Sequence, residues 1–327
     1  MPKNISTNYE NPKFYAVKHK NEEIRAASRS GGVFTVLSDE ILKDGGVVYG
    51  CVLVDCVDAK YIRADNQVDR NKMRGSKYIQ SDLQDTFMKV RTDLLANRSV
   101  LFSGTSCQIA GLKAYLGQDY DTLLCVDIVC HGVPSPKVWK EYLKWQEKRK
   151  HKKIVAADFR DKVKYGCKKY IETLYFEDDS SVSSDIFKNL FYGHTILRPC
   201  CYQCPYKSIQ HPGDITIADY WGIEKAAPGF SDNKGVSLVL INNERGEELF
   251  EKVKNGLICE KTRMEDSMQT SFKKPFPKPS NREQFWNDFH HKKFRAVAVK
   301  YGNFGVANSV KASIKKILRK IKRTILP

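Results

Sequence analysis

Between residues 30 and 150, short apolar runs alternate with amphipathic segments, and this alternation restricts the fold more than any other feature of the chain. VVYGCVLV (47–54), SVLFSG (99–104) and TLLCVDIVC (122–130) are almost continuously apolar. Runs of this length bounded by turn residues read as strands covered on both faces, as in parallel sheets. The segments between them have helical spacing. Residues 31–43 place Phe34, Leu37 and Ile41 on one face, with Ser30 as an N-cap and Gly45 as a stop. Residues 81–97, 107–117 and 136–150 read as further helices, the last with Pro136 in its first turn. Parallel strands need a crossover, and the helices supply it, so the region reads as an α/β unit.

Beyond residue 150 the pattern changes. KIVAADFRD and KKYIETLYFED read as paired strands around a turn at Gly166, followed by a helix near 185–192. Residues 214–219 and 236–242 read as strands, and 244–256 as a helix. FKKPFPKPS (272–280) is a Pro/Lys-rich linker, and a capping-box pattern from Ser280 to Glu283 opens a helix from about 281. The predicted fold is α/β: a mixed, largely parallel sheet core with flanking helices, an inserted β-hairpin region and a C-terminal helical extension. The predicted regions are 1–97, 98–271 and 272–327.

The N-terminus has no apolar core of a secretory signal, and the longest apolar run, VSLVLI (236–241), is too short to span a bilayer. The expected location is cytoplasmic, where thiols stay reduced, so ten cysteines point to metal or redox chemistry. Three of them crowd into RPCCYQCPYK (198–207). Cys107 and Cys130 each follow the end of a predicted parallel strand, and those strands are separated by one helix. They are therefore expected to be neighbours, with both thiols in the crevice where open α/β sheets bind ligands. Cys201 and Cys204, spaced C-x2-C, bring the number of thiolates to four. That suits a [4Fe–4S] cluster. Zinc also accepts four thiolates, usually from two C-x2-C knuckles, of which only one is present; core packing is the remaining reading for Cys107 and Cys130. Cys51, Cys56, Cys125 and Cys259 read as structural, and Cys167 and Cys200 stay open.

Two loops suit a phosphate-bearing ligand. SGGVFT (30–35) opens a helix with two glycines, and RGSKYIQS (74–81) sets a Gly-Ser turn between Arg74 and Lys77. Neither is a nucleotide-binding fingerprint, and each could be a simple turn. GDITIADYWG (213–222) adds Asp214, Asp219 and Trp221, either as acids near a cofactor or as turn residues. The net charge of +17 suggests an anionic partner or simple solubility. Residues 310–327 combine Ile314, Ile317, Leu318, Ile321 and Ile325 with seven cations, a pattern suited to anionic lipid, to docking on the protein itself or to an acidic partner. Peripheral contact with the inner face of the membrane is the expectation; no fold for nucleic-acid binding supports that alternative.

Taken in order, SGGVFT, RGSKYIQS, GTSCQIAGLKAYL, LLCVDIVCHGVPSPKVW, RPCCYQCPYK, GDITIADYWGIE and NREQFW resemble the coenzyme F420 hydrogenase/dehydrogenase beta-subunit family over roughly residues 25–300. The resemblance implies an oxidoreductase: an iron–sulfur flavoprotein that binds FAD and a [4Fe–4S] cluster and moves a hydride between flavin and F420 or another small molecule. It assigns the cluster to Cys107, Cys130, Cys201 and Cys204, and FAD to Ser30, Gly31, Gly32, Thr35, Arg74, Gly75, Ser76 and Lys77. It divides the chain into an N-terminal flavin-loop region, a region carrying the cluster cysteines, and a linker with helix and basic tail. Many relatives carry an N-terminal ferredoxin module that is missing here, which implies ferredoxin or another subunit as electron partner. Arg74 and Lys77 would favour reduced, anionic flavin, and His131 would tune the cluster by hydrogen bonding. The competing reading is a zinc-stabilised basic binding protein that assists surface-polysaccharide assembly at the membrane.

Overall fold

The protein is described here by a computed structural model covering residues 8–167 and 169–305, and all structural statements concern those residues. Twelve strands lie among them: β1 (Lys13–His19), β2 (Val47–Val54), β3 (Asp58–Ala64), β4 (Ser81–Asp82), β5 (Val100–Thr105), β6 (Leu123–Ile128), β7 (Ile154–Asp158), β8 (Glu172–Phe176), β9 (Ser181–Ser184), β10 (Ile215–Asp219), β11 (Ser237–Ile241) and β12 (Leu257–Thr262). Nine form one sheet in the order β12-β1-β11-β10-β6-β5-β2-β3-β4, and β7-β8-β9 form a second. The large sheet is mixed, as expected. Its centre, β10-β6-β5-β2, is parallel, while β1, β11, β12 and β3 join in antiparallel fashion.

The apolar runs are explained by two covered faces. Along β5, Leu101 packs under the helices Val33–Lys43 and Glu244–Val253, while Val100 and Phe102 pack under Thr86–Leu95 and Ser106–Leu116. Along β6, Val126 joins the first core and Leu123 and Cys125 the second. Successive side chains of a strand point to opposite faces, so a strand sandwiched between helix layers must be apolar throughout. A third core lies at one end. Trp139 and Tyr142 of the helix Pro136–Lys150 pack with Leu174, Phe187, Phe285 and Phe289, joining the small sheet to the C-terminal helices Arg282–His291 and Phe294–Tyr301.

Several expectations need correction. The helix predicted from residue 81 begins at Thr86, because Ser81 and Asp82 pair with Ala59 and Lys60. Gly32, at φ +90°, is the N-cap of Val33–Lys43; the Ser30 hydroxyl instead donates to Val236 O at 2.6 Å. Asn281 rather than Ser280 precedes the helix Arg282–His291, with no side-chain cap. The turn at Gly166 is preceded by a helical turn, Lys162–Tyr165, and the hairpin gains β9 as a third strand. The linker 272–280 is not free: Phe272 is buried and Phe276 stacks on His131 with ring centres 4.0 Å apart. The predicted amphipathic tail, 310–327, lies outside the described residues. No helix among the described residues is long and apolar enough to cross a membrane.

Candidate functional site

The carboxyl ends of β5, β6 and β10 open into one cavity of about 1880 Å³. Thr105 pairs with Ile128 in the β5–β6 register, and Cys107 and Cys130 each stand two residues beyond that pair. The expected adjacency of the two strands is therefore realised, and both cysteines line the cavity. Cys107 is exposed in the first turn of Ser106–Leu116, 3.2 Å from the Thr105 hydroxyl. Gln108 Oε1 accepts from the Thr105 N–H at 3.0 Å and holds that turn. Beneath it, Ser106 and Asp127 both meet Nδ1 of the buried His211, at 3.1 and 2.8 Å. These contacts fix the start of the helix that carries Cys107.

The C-x2-C loop reaches the same end by a tertiary link. Pro134 and Leu197 form an antiparallel bridge, Arg198 N–H donates to Val133 O at 2.9 Å, and Ser135 N–H donates to Ile196 O at 2.9 Å. This pins 196–204 against the loop that follows β6. Lys207 donates to the carbonyls of Cys130 and His131. Burial pushes the Cys130 thiol up to about 12; Lys207 opposes the rise, and Cys201 and Cys107 add to it. Burial also raises Cys201, with Cys200, Cys204 and Cys107 contributing. Of the four thiols, Cys107 and Cys130 line the cavity, whereas the half-buried Cys201 and Cys204 stand outside its lining. The four are not drawn to ligand spacing: no group of three or more His, Cys, Asp and Glu side chains among the described residues is arranged to hold a metal ion. Cys125 is buried in the core. Cys51, expected to be structural, packs against two of the cores and also lines the cavity.

The two glycine loops meet across the cavity. Arg74 Nε donates to Thr35 Oγ1 at 3.1 Å. Ser30, Gly32, Arg74, Gly75, Ser76 and Lys77 line the cavity, whereas Gly31 and Thr35 stand behind it. Gly31 is a packing position, because a Cβ there would lie 2.2 Å from Val17 O. Lys77 Nζ donates to the carbonyls of Lys72, Met73 and Arg74 at 2.9–3.2 Å, and so closes the end of the helix Gln67–Lys72. Burial holds Lys77 down to about 8, with Cys51 pulling the other way. With three carbonyls on Nζ, Lys77 offers positive charge rather than a spare donor. The RGSKYIQS loop is tied to the cysteine loop by Gln80 N–H, which donates to Pro134 O at 3.1 Å.

The remaining acids and histidines sort differently. Asp214 is buried at the amino end of β10, where it accepts from Cys125 N–H at 2.6 Å and Asn243 Nδ2 at 2.9 Å. Its role is structural. Asp219, at the carboxyl end, pairs with Arg160 and lines the cavity. His131 and His194 share an Nε2–Nε2 contact of 2.8 Å; burial lowers His131 to about 3, with His194 and Lys207 adding to the effect. Sequence reasoning missed Arg29 and Tyr170, both of which line the cavity and neither of which belongs to a legible motif.

The family model for the C terminus of the coenzyme F420 hydrogenase/dehydrogenase beta subunit matches residues 97–267, more than half of the 327-residue chain. The chain belongs to that family. The beta-subunit assignment makes it an oxidoreductase and covers β5, β6, β10 and every cysteine expected to hold the cluster. Among solved structures, a chain of the xenon-derivatised F420-reducing [NiFe] hydrogenase complex from Methanosarcina barkeri is similar in fold, with a TM-score of 0.54 and 17% identity over 88% of this chain and 94% of that one. No curated protein matches. Neither the fold nor the family supports the zinc-stabilised binding protein.

Proposed function

We propose that this beta-subunit family member is an iron–sulfur flavoprotein that exchanges a hydride with a small molecule, of deazaflavin type or another, and hands single electrons to ferredoxin or a partner subunit. Cys107, Cys130, Cys201 and Cys204 would hold a [4Fe–4S] cluster. Ser30, Gly32 and the 74–77 loop would hold FAD, with Gly31 and Thr35 supporting them from behind. When bound, FAD supplies the exchange between paired and single electrons, and the cluster carries the latter. The chain's own contribution is orientation and charge. The N-terminus of Val33–Lys43, with Arg74 beside it, offers free N–H groups and a cation to a phosphate. The positive charge of Lys77 favours an anionic ring.

The observation that carries this reading is the bond from Gln80 N–H to Pro134 O, which joins the phosphate-suited loop to the cysteine loop along one cavity wall. One-electron transfer needs the two groups close together, and that bond links their cradles. The solved neighbour belongs to a hydrogenase complex, in keeping with an electron partner outside this chain. The test is anaerobic reconstitution with iron, sulfide and FAD. Wild type should take up about four irons and a flavin. Serine at any of positions 107, 130, 201 or 204 should lower the iron content, and serine at Cys125 should not. Iron uptake indifferent to all four changes would rule the ligand set out.

A further inference from the structure

Three buried side-chain nitrogens on two neighbouring arginines have no acceptor among the described residues: Nε and Nη2 of Arg29, and Nε of Arg160. Arg29 lines the cavity, and its Nη1 is anchored on the Arg160 carbonyl. Arg160 is in turn fixed by Asp219 and by the Cys167 carbonyl, and lies 3.7 Å from the Tyr170 ring centre. Tyr170 stacks on Trp221 with centres 5.3 Å apart and planes 20° apart. Both rings line the cavity, and Trp221 is 45% exposed. Asp219, which also lines the cavity, is already paired with Arg160.

Nε and Nη2 form one edge of the guanidinium, with parallel N–H bonds that match the two oxygens of a carboxylate or phosphate. A buried donor without an acceptor destabilises the fold, and a charged one does so more. Two such donors on one edge, beside a cavity, are offset by an oxyanion that enters it. Resting on the proposed function, we propose that Arg29 is the oxyanion receptor of the cavity: its Nε/Nη2 edge takes a carboxylate or phosphate of the molecule whose ring lies against Trp221. The guanidinium turns about its anchor on Arg160 O to meet that group. The oxyanion can come from the hydride-exchanging molecule or from the flavin's own phosphate, and the two sources are separable by experiment.

The full chain is compared with R29Q, which removes the charge, and R29K, which keeps the charge but not the paired edge. Quenching of tryptophan fluorescence by 2-naphthoate and by its neutral analogue 2-naphthamide reads a planar ring with and without an oxyanion. Wild type should prefer naphthoate by roughly ten-fold or more. R29Q should abolish the preference, and R29K should retain only part of it. If FAD binding weakens ten-fold in R29Q while riboflavin binding is unchanged, the receptor stands and its ligand is the flavin phosphate. Unchanged naphthoate preference together with unchanged FAD affinity in both variants overturns the assignment. A chain that takes up no flavin defeats the proposed function alone, because the naphthoate pair is read without flavin. Should R29Q fail to fold, R29K still carries the comparison.

Discussion

Glu172 shows how much one buried side chain can be made to do. Its Oε1 accepts from Ser184 Oγ at 2.6 Å, Phe187 N–H at 3.0 Å and Tyr142 OH at 3.2 Å, while Oε2 has no partner among the described residues. Burial raises its pKa from 4.5 to about 7 against those bonds. The folded chain therefore binds a proton that the unfolded chain releases between those values. Stability is greatest below the window and falls as pH rises through it, by on the order of 3 kcal/mol. Urea titrations at pH 5 and pH 8 should show wild type losing more stability, or gaining less, than Glu172→Gln as pH rises, by about that amount; the same pH dependence in both would refute the assignment. At the same scale, cysteine identity did not reveal cysteine role. Cys51 and Cys125 both sit in apolar strand sequence, yet one lines the cavity and the other is core. Only the neighbouring strands decide which face of the sheet is covered.

At the scale of elements, the loop between Arg29 and the helix Val33–Lys43 is held through its own backbone at Gly31. Gly31 N–H donates to Ser237 Oγ at 2.9 Å and its carbonyl accepts from His19 N–H at 2.7 Å, so β1 and β11 grip the loop from two sides. Gly31→Ala would drive a methyl group into Val17 O and Ser237 N, and should cost about 1–3 kcal/mol or more in chemical denaturation. Gly75 is the contrasting case, with φ +80° and open space around it. Gly75→Ala should cost only the strain of a left-handed residue, about 1 kcal/mol. If its Cβ is where flavin approaches, flavin affinity in a fluorescence titration should fall far more than stability does. The pattern SGG was readable as a helix start. That its middle residue faces a strand carbonyl was not, because KFYAVKH carries too many cations to announce a covered strand.

At the scale of the molecule, the regions 1–97 and 98–271 share one sheet. β1 lies between β11 and β12, and β2 completes the parallel centre beside β5. A fragment beginning at residue 98 would lose the partner of both β11 and β12 and expose one edge of β5. Such an edge invites aggregation. We expect the full chain to melt in one transition followed by circular dichroism, and the fragment 98–327 to show no cooperative transition; a fragment with native ellipticity and a sharp melt would contradict this. The third core has the same consequence for the C-terminal helices. Phe285 and Phe289 pack near Trp139 and Phe187, so the helix Arg282–His291 contributes to the molecule's interior.

The sequence by itself determined what depends on local repetition and on chain order. Apolar runs alternating with helical spacing require covered parallel strands, and the right-handed crossover then makes β5 and β6 neighbours and sets Cys107 beside Cys130. Contacts between segments far apart in the chain were decided only by tertiary structure. The Pro134–Leu197 bridge brings the C-x2-C loop in, Gln80 joins the two halves of the site, and Arg29 meets Arg160 across 131 positions. Such contacts carry no periodicity in sequence. They arise because buried backbone groups and charges must find partners wherever packing places them.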